Sequence, residues 1–418
     1  MKSKLGLFFI SPLISYLVSF KNLSDRSNRI VMLLFFGYFG FTFYFTPGSD
    51  GSRHAENIAN HYADMSIGQW FSESLSLLMF NPPEGTNDDI YLHVLSYIAG
   101  FFNSTKALYL IAALVYGFFY IGSMYNVYRY IKVNLSSRIL FMLFTALIFW
   151  KSFEGINAIR NWTGAWCLFY GFSSYVLHKK KKFLTFMILS PFIHFGYIII
   201  SLPLYVSLVI PKKRYLFYVF LIASFFIKVP LEYIGDAFSY SELGEKKVNV
   251  YQQDDERISK KREEFLAKAS FHKAYAIDLA TIYFEILMVV LLIYLERNFE
   301  YAKVKRYLYF SNVACLLIGF SNISYNIPSL SKRLELNALF YVLAFICLSY
   351  SYLKDKSFNL KNFNLFFVIG TPIYFLFLFM QLSYITEFAN LYLFISPFIS
   401  FVFGDEMLSI KYFIKEFF

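Results

Sequence analysis

The chain has 418 residues, 57% of them hydrophobic and only 16% charged, and the apolar residues come in runs as long as a bilayer-crossing helix. This excludes a water-soluble catalytic domain and predicts an all-α, polytopic integral membrane protein, since lipid offers backbone polar groups no partner outside their own helix. The net charge of +11 would suggest nucleic acid in a soluble protein; here the excess lies in short loops, where it sets orientation, and no nucleic-acid partner is expected.

In chain order, the apolar run from Leu5 to Phe20 lacks a small-residue cleavage site and reads as a retained anchor. Basic loops follow at Lys21 to Arg29, Arg129 to Arg138, Lys179 to Lys182, Lys212 to Arg214, Arg297 to Arg306 and Lys354 to Lys361. The positive-inside rule assigns all of them to the cytoplasm. Thr46 to Asp89, Glu154 to Asn161, Glu232 to Lys273, Asn322 to Arg333 and a turn from Gln381 to Glu387 then face outward. The N-terminus is expected on the periplasmic side. Residues 1–418 read as one transmembrane domain, with amphipathic helices in an outer loop at 47–89 and a charged helix in a long outer loop at 233–273. Cys167, Cys315 and Cys347 lie in apolar segments without ligand-like spacing and are assigned to packing.

Two places break the simple parity of crossings. Between Lys182 and Pro211 the apolar run is too short for two crossings of roughly 20 residues each. A re-entrant hairpin resolves this, with Pro191 breaking its first half and His194 near its tip; one crossing with Lys212 to Arg214 outside is the alternative. Between Ser66 and Phe102 two short elements must likewise cross together twice or not at all. The count is then about eleven full spans plus these hairpins, about 11–14 transmembrane helices with broken or re-entrant ones included.

Charge at membrane depth or at the outer mouth is expensive, so it marks candidates for function. In Pro47 to His54, followed by His61 and Tyr62, Asp50 and Arg53 stand together at the mouth; Ser49 or Asp50 as a helix cap is the plainer reading. A zinc site from Asp50, His54 and His61 lacks a spacing signature, and no metal is expected. Glu154 and Arg160 come next, the guanidinium offering a fork of donors suited to phosphate, or an interfacial arginine reaching for headgroups. Trp162 and Trp166 beside it suit an interface belt or a platform for a sugar ring. His194 is a packing residue or a general base. Lys332 and Arg333 lie outside against the charge bias, with Glu335 nearby; Asp278 and Glu285 share a helix face and suit ion pairs with an arginine.

The order of these features resembles the EpsG-like and Wzy-type bacterial polysaccharide polymerases: the Asp50 to Tyr62 pattern, Asn157-Ala-Ile-Arg160 with Gly164 and Ala165 opening a span, a lysine block, Pro191 to His194, and Lys332-Arg333-Leu334 before another span. The similarity runs from about Phe41 to Leu353. It implies a GT-C-like membrane glycosyltransferase of the bacterial inner membrane with its active site facing the periplasm. The implied substrates are oligosaccharide repeat units on undecaprenyl diphosphate, polymerised into O-antigen, capsule or exopolysaccharide. Membrane lipids and a chain-length regulator protein are the implied partners, and no cofactor is implied. In this reading Arg160, Arg333, Arg53 and Lys332 bind the diphosphate, and His194, Asp50 or Glu154 activates the acceptor hydroxyl. The alternatives are a flippase or transporter of the same lipid-linked sugar, an O-antigen ligase, a lipid-linked glucosyltransferase or a membrane acyltransferase.

Overall fold

The structure is a computed structural model, and it describes residues 2–44, 50–79, 81, 83, 86–87, 89–228, 271–403 and 409–417. All regular structure among them is helical. The expected charged helix at 233–273 falls almost wholly outside the described residues. Four helices among them are long and apolar enough to cross a bilayer, or five if the bent pair Lys361–Ile369 and Thr371–Phe388 is one span. The eleven full spans expected thus resolve into a few long helices and many short ones, because turns and prolines divide the apolar runs.

The N-terminal run shows how. Helix α1 (Lys2–Ile10) and helix α2 (Pro12–Ser19) are separated by extended Ser11, and Pro12 opens the second helix at a position where its missing N–H costs nothing. The two form a hairpin, not one crossing: Lys4 Nζ lies 2.8 Å from Asp25 Oδ2, just ahead of α3 (Arg26–Phe41). A periplasmic N-terminus required one crossing between Leu5 and Phe20; with the hairpin, Lys4 sits at the bundle end that carries the Lys21 to Arg29 loop.

Helix α3 then packs antiparallel to α7 (Thr105–Ile131), so closely that a Cβ on Gly40 would collide with the Tyr109 carbonyl oxygen. The segment between them leaves and re-enters at the same end through α4 (Asp50–Asn57), a π-turn at Ile58–Tyr62, α5 (Ile67–Leu78) and α6 (Ile90–Gly100). Neither α5 nor α6 reaches the length of a crossing.

Helix α8 (Arg138–Phe149) and helix α9 (Ile159–His178) are joined by a turn in which Lys151 adopts φ 43°. Trp166 Nε1–H and the Tyr116 hydroxyl both donate to the Lys151 carbonyl and hold it there. Helix α10 (Leu184–Ile193) returns antiparallel along α9. Cys167 Sγ donates to the Phe186 carbonyl at 3.2 Å, and Ser190 Oγ donates to the Gly164 carbonyl at 2.9 Å. The helix continues through Pro191 and ends at Ile193, where His194 turns extended. Helix α11 (Tyr197–Val209) leads back to Pro211, whose carbonyl accepts from Tyr301 at 3.0 Å. Arg306, one turn beyond Tyr301 in the same helix, lies over the Tyr130 ring, and Tyr130 in turn donates to Leu177 at the far end of α9. The chain therefore enters and leaves this element at one end, as the hairpin reading requires.

After α12 (Arg214–Ser224) the described chain resumes with α13 (Phe271–Asn298), α14 (Tyr301–Ile323) and α15 (Pro328–Asp355). The apolar stretch of α15 is 89% buried against 44% for α13, so α15 is the central helix of the bundle. Helix α16 (Lys361–Ile369) and helix α17 (Thr371–Phe388) make the bent pair. The turn expected from Gln381 to Glu387 is instead part of α17, and Gln381 is fully buried. Aromatic rings fill the centre: Trp166 meets Phe340 edge to face at 4.5 Å and Tyr120 at 4.9 Å.

Candidate functional site

The site begins with a turn that the outer loop holds in place. Tyr62 closes the π-turn, and its hydroxyl accepts from the Asn87 side chain at 3.0 Å and backbone at 3.3 Å. The same hydroxyl lies 2.9 Å from His93 Nδ1. Because His93 Nε2 faces the Trp70 carbonyl, an acceptor, the network assigns the ring proton to Nε2 and lets Nδ1 accept from Tyr62. His61 Nε2 sits 2.9 Å from Glu73, which also accepts from Gln69 and Thr86. Burial disfavours the charge on Glu73, but those donors outweigh it and hold the carboxyl below its ordinary value.

Asn87 fixes the approach to Asp89, the residue that precedes α6. An aspartate there normally caps its own helix. Asp89 makes no such cap and is 4% exposed. Oδ1 accepts from the Phe195 backbone N–H at 2.8 Å; Oδ2 accepts from Arg160 Nη1 at 2.7 Å and from His194 Nδ1 at 3.2 Å. Burial opposes ionisation, yet the His194 hydrogen bond, the Arg160 charge and the Phe195 N–H together hold the carboxyl well below the usual carboxylate range.

This carboxylate joins what the sequence had left apart. Arg160 opens α9, and His194 sits at the α10–α11 hairpin tip, brought to the level of Arg160 by the antiparallel path of α10. Arg333, near the start of α15, acts electrostatically on His194 together with Arg160. A Cβ on Gly196 would meet His194 Nε2 at 3.4 Å and Arg333 Nη1 at 3.8 Å, so that guanidinium lies against the hairpin turn. With Asp89 accepting at Nδ1, the imidazole keeps Nε2 available as a proton acceptor. Arg160 is one-third exposed and retains donors beyond the one Asp89 takes.

A pocket of about 320 Å³ at the start of α9 is lined by Lys151, Glu154, Asn157, Trp162, Tyr384 and Glu387, among others, and by none of Asp89, Arg160, His194 and Arg333. The Lys151 ammonium stands 4.9 Å over the Trp162 ring and 5.9 Å from that of Tyr384. Glu154 is buried and accepts from Ser152 Oγ at 2.8 Å, and the Gln381 amide, oriented to satisfy its neighbours, turns its nitrogen to the other oxygen at 3.3 Å. Trp162 thus faces a pocket, whereas Trp166 is a core residue and is neither a belt residue nor a sugar platform.

The remaining candidates stand elsewhere. Lys332 Nζ is held 2.6 Å from Asp278 and 2.9 Å from Glu335, so its charge is already balanced; the acid on α13 meets this lysine. Arg53 is an exposed residue of α4, a helix packed against the 153–158 turn and α7. Asp50 begins α4, and its side chain lies outside the described residues. Asp89 is the residue that sequence reading missed. Its signal was a pair of aspartates directly before an apolar run, indistinguishable from a cap.

No curated protein and no solved structure matches the chain. The family model described as the EpsG family matches residues 60–410. That stretch contains Tyr62, Asp89, Arg160, His194 and Arg333, and it begins after Asp50 and Arg53. By this match, over far more than half of its length, the multi-pass membrane protein belongs to the EpsG family.

Proposed function

We propose that this protein is a polysaccharide polymerase. It transfers a growing glycan from its undecaprenyl diphosphate to a new lipid-linked repeat unit at the periplasmic face of a bacterial inner membrane. The observation that supports this most is one buried carboxylate, Asp89, joining a histidine to an arginine, with a second arginine against the same turn.

Chemically, the acceptor hydroxyl gives its proton to His194 Nε2 as its oxygen bonds to the anomeric carbon of the donor. The bond from that carbon to the diphosphate breaks, and its electron pair leaves on the phosphate oxygen. Asp89 keeps Nδ1 protonated and stabilises the imidazolium that forms. Arg160 and Arg333 meet the charge developing on the diphosphate, where preorganised donors contribute most to rate. The pocket walled by Trp162 and Tyr384 suits a sugar ring, and Lys332 positions α13 against α15. The basic loops at the opposite helix ends support the outer placement.

Arg160→Ala tests this. The variant should insert at wild-type level, while surface glycan falls to a single repeat unit on its acceptor. Long chains at normal abundance would refute the clamp. Accumulation of lipid-linked units on the cytoplasmic face would favour a flippase instead.

A further inference from the structure

A second cavity, of about 690 Å³, opens between α3, α7, α9 and the start of α10, at the basic end of the bundle. It lies far from the site above: Arg160 and His178, at opposite ends of α9, are separated by about 27 Å of helix. We propose that this cavity binds the phosphate headgroup of an anionic membrane phospholipid.

The mouth is cationic, formed by Arg26, Arg29, Arg129 and Lys180 with His178, and no acidic residue lines it. Arg29 and Arg129 flank one ring, their guanidinium carbons 4.2 and 5.6 Å from the centroid of Tyr125. Arg29 Nη1 also donates to the Leu23 carbonyl at 2.6 Å and the Ser24 carbonyl at 3.0 Å, bonds that fix its position without neutralising its charge. Asp25, the acid nearest in sequence, is engaged by Lys4 and the Ser27 N–H. Among the described residues none of the three arginines makes an ion pair. Like charges gathered on an aromatic ring and left unbalanced repel, and an anion between them relieves that repulsion.

A neutral hydrogen-bonded network fixes His178 at the mouth as well. Asn126 Nδ2 donates to Ser173 Oγ at 3.0 Å and to Ser174 Oγ at 2.7 Å, which turns its Oδ1 to accept from His178 Nε2 at 3.0 Å. Deeper in, the walls become apolar through Leu33, Phe118, Ile121 and Tyr170. Phe118 is 49% exposed and Ile30 38% exposed on the outer side of the bundle. A soluble anion gains nothing from such walls; a lipid, with phosphate at the mouth and chains along the apolar side, uses both.

The test is phospholipid retention by the full chain purified in detergent and exchanged with equal phosphatidylglycerol and phosphatidylcholine, read by mass spectrometry. Wild type should retain phosphatidylglycerol preferentially, and each arginine changed to glutamine should weaken that preference about fivefold. Arg29→Gln also removes carbonyl bonds that order the loop, so Arg129→Gln, which leaves them intact, is the decisive variant. Equal retention of both lipids by wild type, or an unchanged preference in Arg129→Gln, would overturn the site. Displacement of the lipid by millimolar inorganic phosphate would make it a soluble-anion site and overturn the lipid assignment.

Discussion

Replacing Asp89 by Asn separates orientation from packing. The amide keeps the size of the side chain and an oxygen for the Phe195 N–H, but it removes the charge that Arg160 and His194 meet at 2.7 and 3.2 Å. Full burial of an ion pair would make its loss cost about 3–5 kcal/mol. Arg160 is one-third exposed and can turn to solvent, so a loss of about 1–3 kcal/mol is expected. The catalytic effect is larger. A general base that loses its orienting partner forfeits much of the ~10²–10⁴-fold such groups supply, about 3–5 kcal/mol of barrier. The assay is polymerisation of lipid-linked repeat units by reconstituted protein, with membrane insertion measured in parallel. Because Asp89 acts through His194, the Asp89→Asn/His194→Ala pair should be no slower than His194→Ala alone. A single variant within about twofold of wild type, or a double variant whose losses multiply, would refute the dyad.

Gly164→Ala places a methyl 2.8 Å from the buried Tyr197 ring, so the purified protein should lose about 1–3 kcal/mol of stability in a thermal assay, whereas Gly68→Ala, in open space in the first turn of α5, should lose none and gain up to about 1 kcal/mol from helix propensity. Lys332→Gln leaves Asp278 and Glu335 without their shared cation; the melting temperature should fall, and adding Asp278→Asn should restore part of it, whereas a lysine acting only on diphosphate would lower activity at unchanged stability. Asp89 has a depressed folded-state pKa, so its contribution to stability is present above the unfolded value of about 3.9 and is lost as pH falls through the folded value. The stability gap between wild type and Asp89→Asn should therefore hold from neutral pH to about pH 5, and a gap that closes near pH 6 would contradict the assignment.

The sequence by itself determined the class of molecule and much of its layout. Long apolar runs leave a chain in lipid little choice but helix, and short basic loops mark one end of the bundle. Pro191, expected to break the first half of the hairpin, is carried inside its helix. The short run after Lys182 was enough to predict that hairpin, and with it His194 at a tip, because length is a local property. Arg160 and Arg333 were legible as misplaced charges for the same reason. What only the tertiary structure decided are the partnerships. Asp89 meets Arg160 across 71 residues of chain and His194 across 105, and no periodicity records a contact that folding alone creates. The same holds for Lys332, balanced by an acid on another helix, and for Trp166, whose indole caps a carbonyl in the core. The N-terminal run read as one crossing because hydropathy counts residues; Lys4 meeting Asp25 showed that it folds back. Local chemistry fixed which groups could react, and the packing of distant helices fixed which of them stand together.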